Sequence, residues 1–369
     1  MLNTTQVDPR FWTGKKVFLT GHTGFKGAWL SLWLAKMGAH VTGFALAPNT
    51  TPSMFSAVAV AECVAESIID NICHAERLKE AIVRTQPDIV IHMAAQALVR
   101  YSYDHPLETY ETNVIGTVKL LEAVRCQPSV RAVVVVTTDK CYENKGLANA
   151  FTEDQPLGGH DPYSSSKGCA ELVVAAYQRS YFSTQSTSQQ GVALASARAG
   201  NVVGGGDWSL DRLVPDAIKA FETDQPLMLR YPNATRPWQH VLEPLAGYLI
   251  LAQNLFNRGP DFVGAWNFGP ANSEAQTVKF VVDLLIKEWG DTARWQQDGA
   301  PTPHEAHFLA LDCTKANAQL GWTPRWNLST TIQKVVSWHK AYIDGQDMTA
   351  VSSSQIDAYQ NSQPLHLGK

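Results

Sequence analysis

A glycine at every third position, 21, 24 and 27, interrupts the chain between two apolar segments of different period. Before it, Lys16-Val17-Phe18-Leu19-Thr20 is a short apolar run that reads as a strand. After it, Trp29, Leu30, Trp33, Leu34 and Met37 recur at helical spacing from Phe25 to Met37. A strand that turns into a helix over Gly21-His22-Thr23-Gly24-Phe25-Lys26-Gly27 has few uses for so much glycine. Backbone without Cβ turns sharply and lets a pyrophosphate approach closely. The helix that follows presents free N–H groups and the positive end of its dipole to that anion.

The same alternation continues. His40 to Leu46 reads as a second strand and Ser67-Ile68-Ile69-Asp70 as a short third. Ala75 to Thr85 is helical, and Asp88 to His92 is a strand. Thr112 to Arg125 carries Val114, Val118, Leu121 and Val124 on one side of a long helix. Val130 to Thr137 holds five valines. Tyr163 to Tyr181 reads as helix and Gly191 to Ala199 as strand. Continuously apolar strands alternating with helices predict an α/β fold, a doubly wound, Rossmann-like parallel sheet covered on both faces. After about residue 200 the pattern gives way to Gly204-Gly205-Gly206-Asp207-Trp208 and shorter elements punctuated by Pro215, Pro226, Pro232, Pro237 and Pro244. The expected organisation is a dinucleotide-binding domain over 1–200, a smaller substrate-binding domain over 201–350 with segments returning to the sheet, and a polar tail over 351–369 that frays.

Composition narrows the function classes. Of 369 residues, 45% are hydrophobic and 17% charged, so the chain buries too much apolar surface to be disordered. A net charge of −4 supplies no general pull toward nucleic acid or an anionic membrane. Met1 to Lys16 lacks an apolar stretch, so no signal peptide is expected there, and no run approaches the ~20 apolar residues of a membrane span. Six cysteines without a C-x-x-C pair read as reduced thiols of a cytoplasmic protein. His304, Glu305 and His307 have ligand chemistry, but their proline-rich setting reads as a solvated loop, and no metal site is expected.

Two further patterns carry chemistry. Tyr163 and Lys167 stand four apart, on one helix face one turn apart. An ammonium beside a phenol favours the phenolate, which makes Tyr163 a candidate general acid/base. The valine-rich strand ends in Thr137-Thr138-Asp139-Lys140, a hydroxyl and two ionisable groups at the sheet edge where open α/β sheets bind ligands. The acidic residue expected about 20 residues after the glycine loop is missing, and no arginine replaces it, so the residues leave NAD and NADP open. Asp70 reads equally as a partner for an adenine amino group and as a helix N-cap.

Taken in order, the glycine loop, His92-Met93-Ala94-Ala95-Gln96, Tyr163/Lys167, Arg198-Ala199-Gly200-Asn201-Val202-Val203-Gly204, Trp266-Asn267-Phe268-Gly269 and Leu320-Gly321-Trp322-Thr323-Pro324 resemble the extended short-chain dehydrogenase/reductases that act on nucleotide sugars. The resemblance covers residues 15 to about 340. Thr138-Asp139-Lys140 points within them to the sugar 4,6-dehydratases, which usually carry Thr-Asp-Glu there. Lys140, with Phe25-Lys26-Gly27 and Arg236-Pro237-Trp238-Gln239-His240-Val241, is similar to the branch acting on CDP-glucose.

That resemblance implies a lyase with NAD that converts CDP-glucose to a 4-keto-6-deoxy sugar nucleotide, feeding deoxysugar and lipopolysaccharide O-antigen synthesis. It implies that Tyr163 takes the 4-hydroxyl proton, that Lys167 keeps Tyr163 anionic and contacts the nicotinamide ribose, and that Thr138 holds the 4-oxygen. Asp139 would protonate the departing 6-hydroxyl, and Lys140, or a water it holds, would take the C5 proton. Cofactor contacts are expected from Gly21, His22, Thr23, Gly24, Phe25, Lys26 and Gly27, from Asp70 and Asn71, from Ala94 and Ala95, and from Tyr163 and Lys167. Substrate contacts are expected from Gln96, Thr138, Asn201, Arg212, Arg236 and His240, with Arg236 the first choice for the pyrophosphate. His92 is expected to be structural. A homodimer or homotetramer would pair the long helices 112–125 and 163–181. A nucleotide-sugar 4-epimerase is the alternative; it needs no acid and base for removing water.

Overall fold

A computed structural model describes residues 5–146, 149–182, 191–270, 275–290, 292–298 and 309–365. Seven parallel strands form its main sheet: β1 (Lys16–Thr20), β2 (His40–Ala45), β3 (Glu66–Ile69), β4 (Ile89–His92), β5 (Ala132–Val136), β6 (Ala193–Ala199) and β7 (Gly264–Phe268). Their order is β7-β6-β5-β4-β1-β2-β3. The chain reverses direction across the sheet between β1 and β4, which opens a crevice at their carboxyl ends. The doubly wound sheet expected from the sequence is the fold. β7 comes from beyond residue 201 and extends the sheet through β6.

Two helical layers cover it. One face carries α1 (Phe25–Lys36) and α6 (Leu242–Arg258), packed with Trp29, Trp33, Val134 and Trp266 into one large core. The other face carries α2 (Ala75–Thr85), α3 (Gly116–Arg125) and α4 (Pro162–Ser180), with Phe18, Val90, Leu121, Val133 and Val174 between them. β5 is buried along its whole length because valines face both layers. A third core lies apart from the sheet, where α5 (Leu213–Glu222), α7 (Val278–Trp289) and α8 (Leu328–Ile343) bury Ile218, Val281 and Val335.

The polar run after Asp347 does not fray. Met348–Asn361 forms α9, capped by the Asp347 carboxylate, which accepts from the amides of Thr349 and Ala350. Met348, Ile356 and Tyr359 are buried in the large core, and the Tyr359 hydroxyl donates to the buried Glu243 at 2.7 Å. Serines at positions 352–354 disguise an apolar spacing that the helix puts on one side.

Candidate active site

The glycine loop is built by close approach. Gly21 has φ +80°, and a Cβ there would lie 2.7 Å from the Ala94 amide nitrogen. A Cβ on Gly27 would run into the Gly21 carbonyl oxygen. Gly24 is exposed and caps α1 with no side chain in the way. The cradle thus leaves the first amides of α1 open to an anion, and it fits a dinucleotide pyrophosphate. Thr20 fastens β1 to β4: its hydroxyl bonds His92 Nδ1 at 2.7 Å and accepts from the amides of Met93 and Ala94. His92 is structural, as expected; burial lowers its pKa to about 3, and its Nε2 meets Thr117 at 3.1 Å. The loop at Ala94 and Ala95 therefore lies directly beside the glycine cradle.

Not every loop residue faces a ligand with its side chain. The His22 ring turns into the sheet under Gly43 and meets the Ser67 hydroxyl at 2.7 Å through Nε2. Burial lowers its pKa to about 4, so the ring is neutral, and only its backbone is left for a cofactor. Thr23 donates to the Leu46 carbonyl at 2.8 Å and ties the loop to the end of β2. Phe25 packs where a Cβ on Gly204 would touch its ring at 2.9 Å. Asp70 caps no helix. Its carboxylate accepts from the Asn71 amide at 2.7 Å, meets His74 Nδ1 at 2.6 Å and pairs with Arg77 at 3.2 Å, so it is already engaged by neighbouring side chains beside the third strand.

The catalytic candidates converge at the end of β5. Asp161 caps α4 by accepting from the Ser164 amide at 2.9 Å, and Pro162 starts the helix. That cap places Tyr163 in the first turn and Lys167 one turn on. Thr138 stands close enough to Tyr163 to favour its phenolate, and its hydroxyl donates to Asp139 Oδ1 at 3.1 Å. Asp139 is 1% exposed; its Oδ2 has no hydrogen-bond partner, and a Cβ on Gly200 would stand 2.9 Å from that oxygen. Burial raises its pKa above the usual carboxylate range, against the nearby charges of Lys140 and Arg236. Burial thus shifts the carboxyl toward its neutral form, the form in which a general acid acts.

The phenol departs from expectation. Burial pushes Tyr163 up to about 12, outweighing the influence of Thr138 and the charge of Arg212. Lys167 donates to the Val136 carbonyl at 3.2 Å, and burial brings its pKa down to about 8. The sequence spacing placed the two on one face, but the strand carbonyl competes for the ammonium.

The expected substrate residues divide. Arg212 and Arg236 both carry charge toward this chamber, since Arg212 acts on Tyr163 and Lys26, and Arg236 on Asp139. Arg236 is 4% exposed and Arg212 is half-buried beside Asp207 at 3.5 Å. Asn201 sits just past β6 with its Oδ1 buried and unpartnered. Gln96 is spent on its own loop: its amide donates to Leu98 and Thr109 and accepts from the Leu98 amide. His240 is a correction. It is 0% exposed, edge-on to Trp29 and Trp326, and belongs to the core rather than to a substrate surface. His304, Glu305 and His307 lie outside the described residues. Among the described residues no cluster of three metal-ligating side chains occurs.

Two groups, Tyr248 and Glu171, escaped sequence reading, and a third, Lys26, was expected only as a cofactor contact. The Lys26 side chain leaves the glycine loop and enters the same chamber, 6.0 Å from the Tyr248 ring centroid; burial, Arg212 and Lys167 lower its pKa to about 7, against Asp139. Tyr248 comes from α6 with a buried, unpartnered hydroxyl close enough to Tyr163 and Asp139 for their charges to raise its pKa further. In an apolar helix it reads as core. Beneath the chamber, Glu171 accepts from Thr137, from Ser196 at 2.7 Å and from Arg198 at 2.7 Å, all buried. Tyr163, Lys167 and Glu171 recur every fourth residue, a signal that was there to read.

Comparison with known proteins agrees with this arrangement. A family model described as GDP-mannose 4,6 dehydratase matches residues 18–335. CDP-glucose 4,6-dehydratase of Salmonella typhimurium is 53% identical over 356 residues, covering 96% of this chain and 99% of that protein. dTDP-glucose 4,6-dehydratase of Xanthomonas campestris is 26% identical, covering 87% of this chain and 92% of its own. Among solved structures, UDP-glucuronic acid 4-epimerase of Bacillus cereus, in complex with UDP-glucuronic acid and NAD, superposes with a TM-score of 0.76 at 21% identity over 89% of this chain and 99% of that one. dTDP-glucose 4,6-dehydratase of Bacillus anthracis, in complex with NAD, gives 0.73 at 23% identity over 91% and 100%. The two superpositions establish a shared fold. With a glycine cradle, a tyrosine–lysine helix and a buried Thr138-Asp139-Lys140 turn in one crevice, the chain belongs to the GDP-mannose 4,6 dehydratase family.

Proposed function

We propose that this protein removes water from CDP-glucose to give the 4-keto-6-deoxy sugar nucleotide, with NAD as resident cofactor. The observation that carries the reading is Asp139, a buried acid hydrogen-bonded to Thr138 beside Tyr163. A 4-epimerase has no use for an acid at that position. The glycine cradle of residues 21–27, with the backbone at Ala94 and Ala95, would hold the dinucleotide. The bound cofactor supplies a hydride acceptor for C4 and a hydride donor for C6, with no net redox change.

The side chains do the rest. Tyr163 takes the proton of the 4-hydroxyl while Thr138 holds that oxygen. The ketone so formed acidifies the C5 hydrogen. Lys140 removes it, and Asp139 gives its proton to the departing 6-hydroxyl. Lys140 then returns its proton to C5. Arg236 and Arg212 neutralise the pyrophosphate at the mouth of the chamber. The charge pattern supports this: Arg212 acts on Tyr163 and Arg236 on Asp139 in one crevice, which the Lys26 side chain also enters.

Pairing through α3 and α4 into a homodimer, or a tetramer, is supported by exposed apolar side chains on and beside them, Leu107 (86%), Leu172 (59%), Ile115 (46%) and Tyr103 (45%). No described helix is long and apolar enough to cross a membrane. The test is incubation with a panel of nucleoside-diphosphate glucoses and mass measurement of the product. Loss of one water from CDP-glucose is expected. An isobaric product would mean epimerisation and overturn the reading.

A further inference from the structure

Thr138, Asp139 and Lys140 follow β5, and β5 lies between β4 and β6 in the sheet. The segments that leave those two neighbours therefore stand on either side of the catalytic turn. After β4 comes the short helix Val99–Asp104, whose Ser102 hydroxyl accepts from the Tyr163 amide at 3.1 Å. After β6 comes the loop 204–212. Packing pins its first half. Trp29 of α1 donates its indole N–H to the Gly205 carbonyl at 2.9 Å, and the Trp208 ring meets Trp338, His339 and Tyr342 of α8 at 5.7, 5.8 and 5.0 Å between centroids.

The second half of the loop is held by charge instead. Leu210 is 66% exposed, and Asp211 beside it is exposed as well. Asp211 Oδ1 accepts from Arg100 of the helix across the crevice at 3.0 Å. Arg230, just past the short strand Leu227–Leu229, stands 3.9 Å from the same oxygen. Asp211 has φ +57°, a left-handed conformation that aspartate and asparagine adopt more readily than most residues. The next residue, Arg212, goes to a different partner, the buried Asp207 at 3.5 Å, and its charge reaches Tyr163. One exposed carboxylate thus joins the wall that holds the Tyr163 backbone to the wall that delivers Arg212.

We propose that Asp211 is a clasp across the mouth of the chamber, a positioning residue that draws the two walls together over the sugar nucleotide by holding Arg100 and Arg230. It touches no reacting atom. An exposed ion pair shifts an equilibrium by no more than about fivefold, so the clasp holds bound substrate yet opens to admit it and to release product. This rests on the reading in which Arg212 and Arg236 receive the pyrophosphate, and it adds a residue to substrate capture rather than to the chemistry.

The test is steady-state kinetics of the holoenzyme with CDP-glucose for the wild type, Asp211→Asn, Arg100→Met and the double variant, with hydrogen exchange of the same four proteins. Asparagine keeps the left-handed backbone and removes the charge. Wild type that forms no dehydrated product overturns the dehydratase reading, and hydrogen exchange then judges the clasp by itself. In an active enzyme, KM should rise about three- to fivefold in each single variant with kcat within about twofold of wild type. The double variant should be no worse than Asp211→Asn, because the Arg100–Asp211 pair can be lost only once. Amides of residues 99–104 and 209–213 should exchange about three- to fivefold faster in Asp211→Asn than in wild type. Unchanged KM, a fall in kcat alone, additive losses in the double variant, or unchanged exchange in both segments would each overturn the clasp.

Discussion

Replacing Arg198 by methionine should expose how the catalytic strand end is held. Arg198 and Glu171 have side-chain exposures of 4% and 3% and meet at 2.7 Å. Glu171 also accepts from Thr137, the residue before Thr138, and from Ser196. Arg198 Nη1 continues the network to the Tyr142 hydroxyl at 2.7 Å. Methionine keeps most of the volume but strands the Glu171 carboxylate without its counter-charge. Breaking such a buried pair costs about 3–5 kcal/mol. Unfolding entropy scales at roughly 2.1 cal/mol/K per residue, or about 0.8 kcal/mol/K for 369 residues, so Tm should fall by about 4–6 °C. The assay is differential scanning calorimetry of Arg198→Met, Glu171→Leu and the double variant. Removing both ions should cost clearly less than the sum of the singles, because neither charge is left alone. Additive losses, or a single-variant loss under about 1 °C, would refute the view that charge pairing rather than packing fixes this strand end.

The remaining expectations concern the chamber itself. Asp139→Asn should lose dehydration while retaining exchange of the C5 hydrogen with deuterated solvent; full dehydration activity would remove the acid role. Lys140→Met should show the converse deficit, with no C5 exchange by mass spectrometry, and normal exchange would exclude Lys140 as the base. Gly200→Ala puts a methyl group 2.9 Å from Asp139 Oδ2 and 2.7 Å from the Pro237 ring, so kcat should fall by about tenfold or more with KM less affected. Equal kinetics would mean that the acid tolerates displacement. Lys26 is ordinarily charged up to pH 10.5 but only to about 7 when folded. Between those values the unfolded chain binds more protons, so raising pH should stabilise wild type relative to Lys26→Met. Parallel melting curves from pH 7 to pH 9 would contradict that placement.

Local patterns carried six of the seven main strands, and β5 needs only its valines to be recognised, whereas β7 was not read as a strand. The glycine cradle and the Tyr163/Lys167 face were equally legible, because they depend on fixed spacing within one turn or helix. What escaped depends on distant packing. Nothing near Tyr248 says that α6 brings its hydroxyl to Tyr163, and nothing near Lys26 says that its side chain turns from the phosphate loop to the acid. His240 looked polar and motif-borne, yet Trp29 and Trp326 enclose it from elements far apart in sequence. Lys167 was placed correctly on its helix, but its choice of the Val136 carbonyl depends on strand geometry that spacing does not encode.

Deuterium at C4 of CDP-glucose offers the most direct trial of a hydride lifted from one carbon and set down on another. After complete conversion, NMR of the product should find the label on the C6 methyl group, with catalytic rather than stoichiometric NAD sufficing. Label left at C4 of an isomerised sugar, or label lost to solvent, would contradict the account.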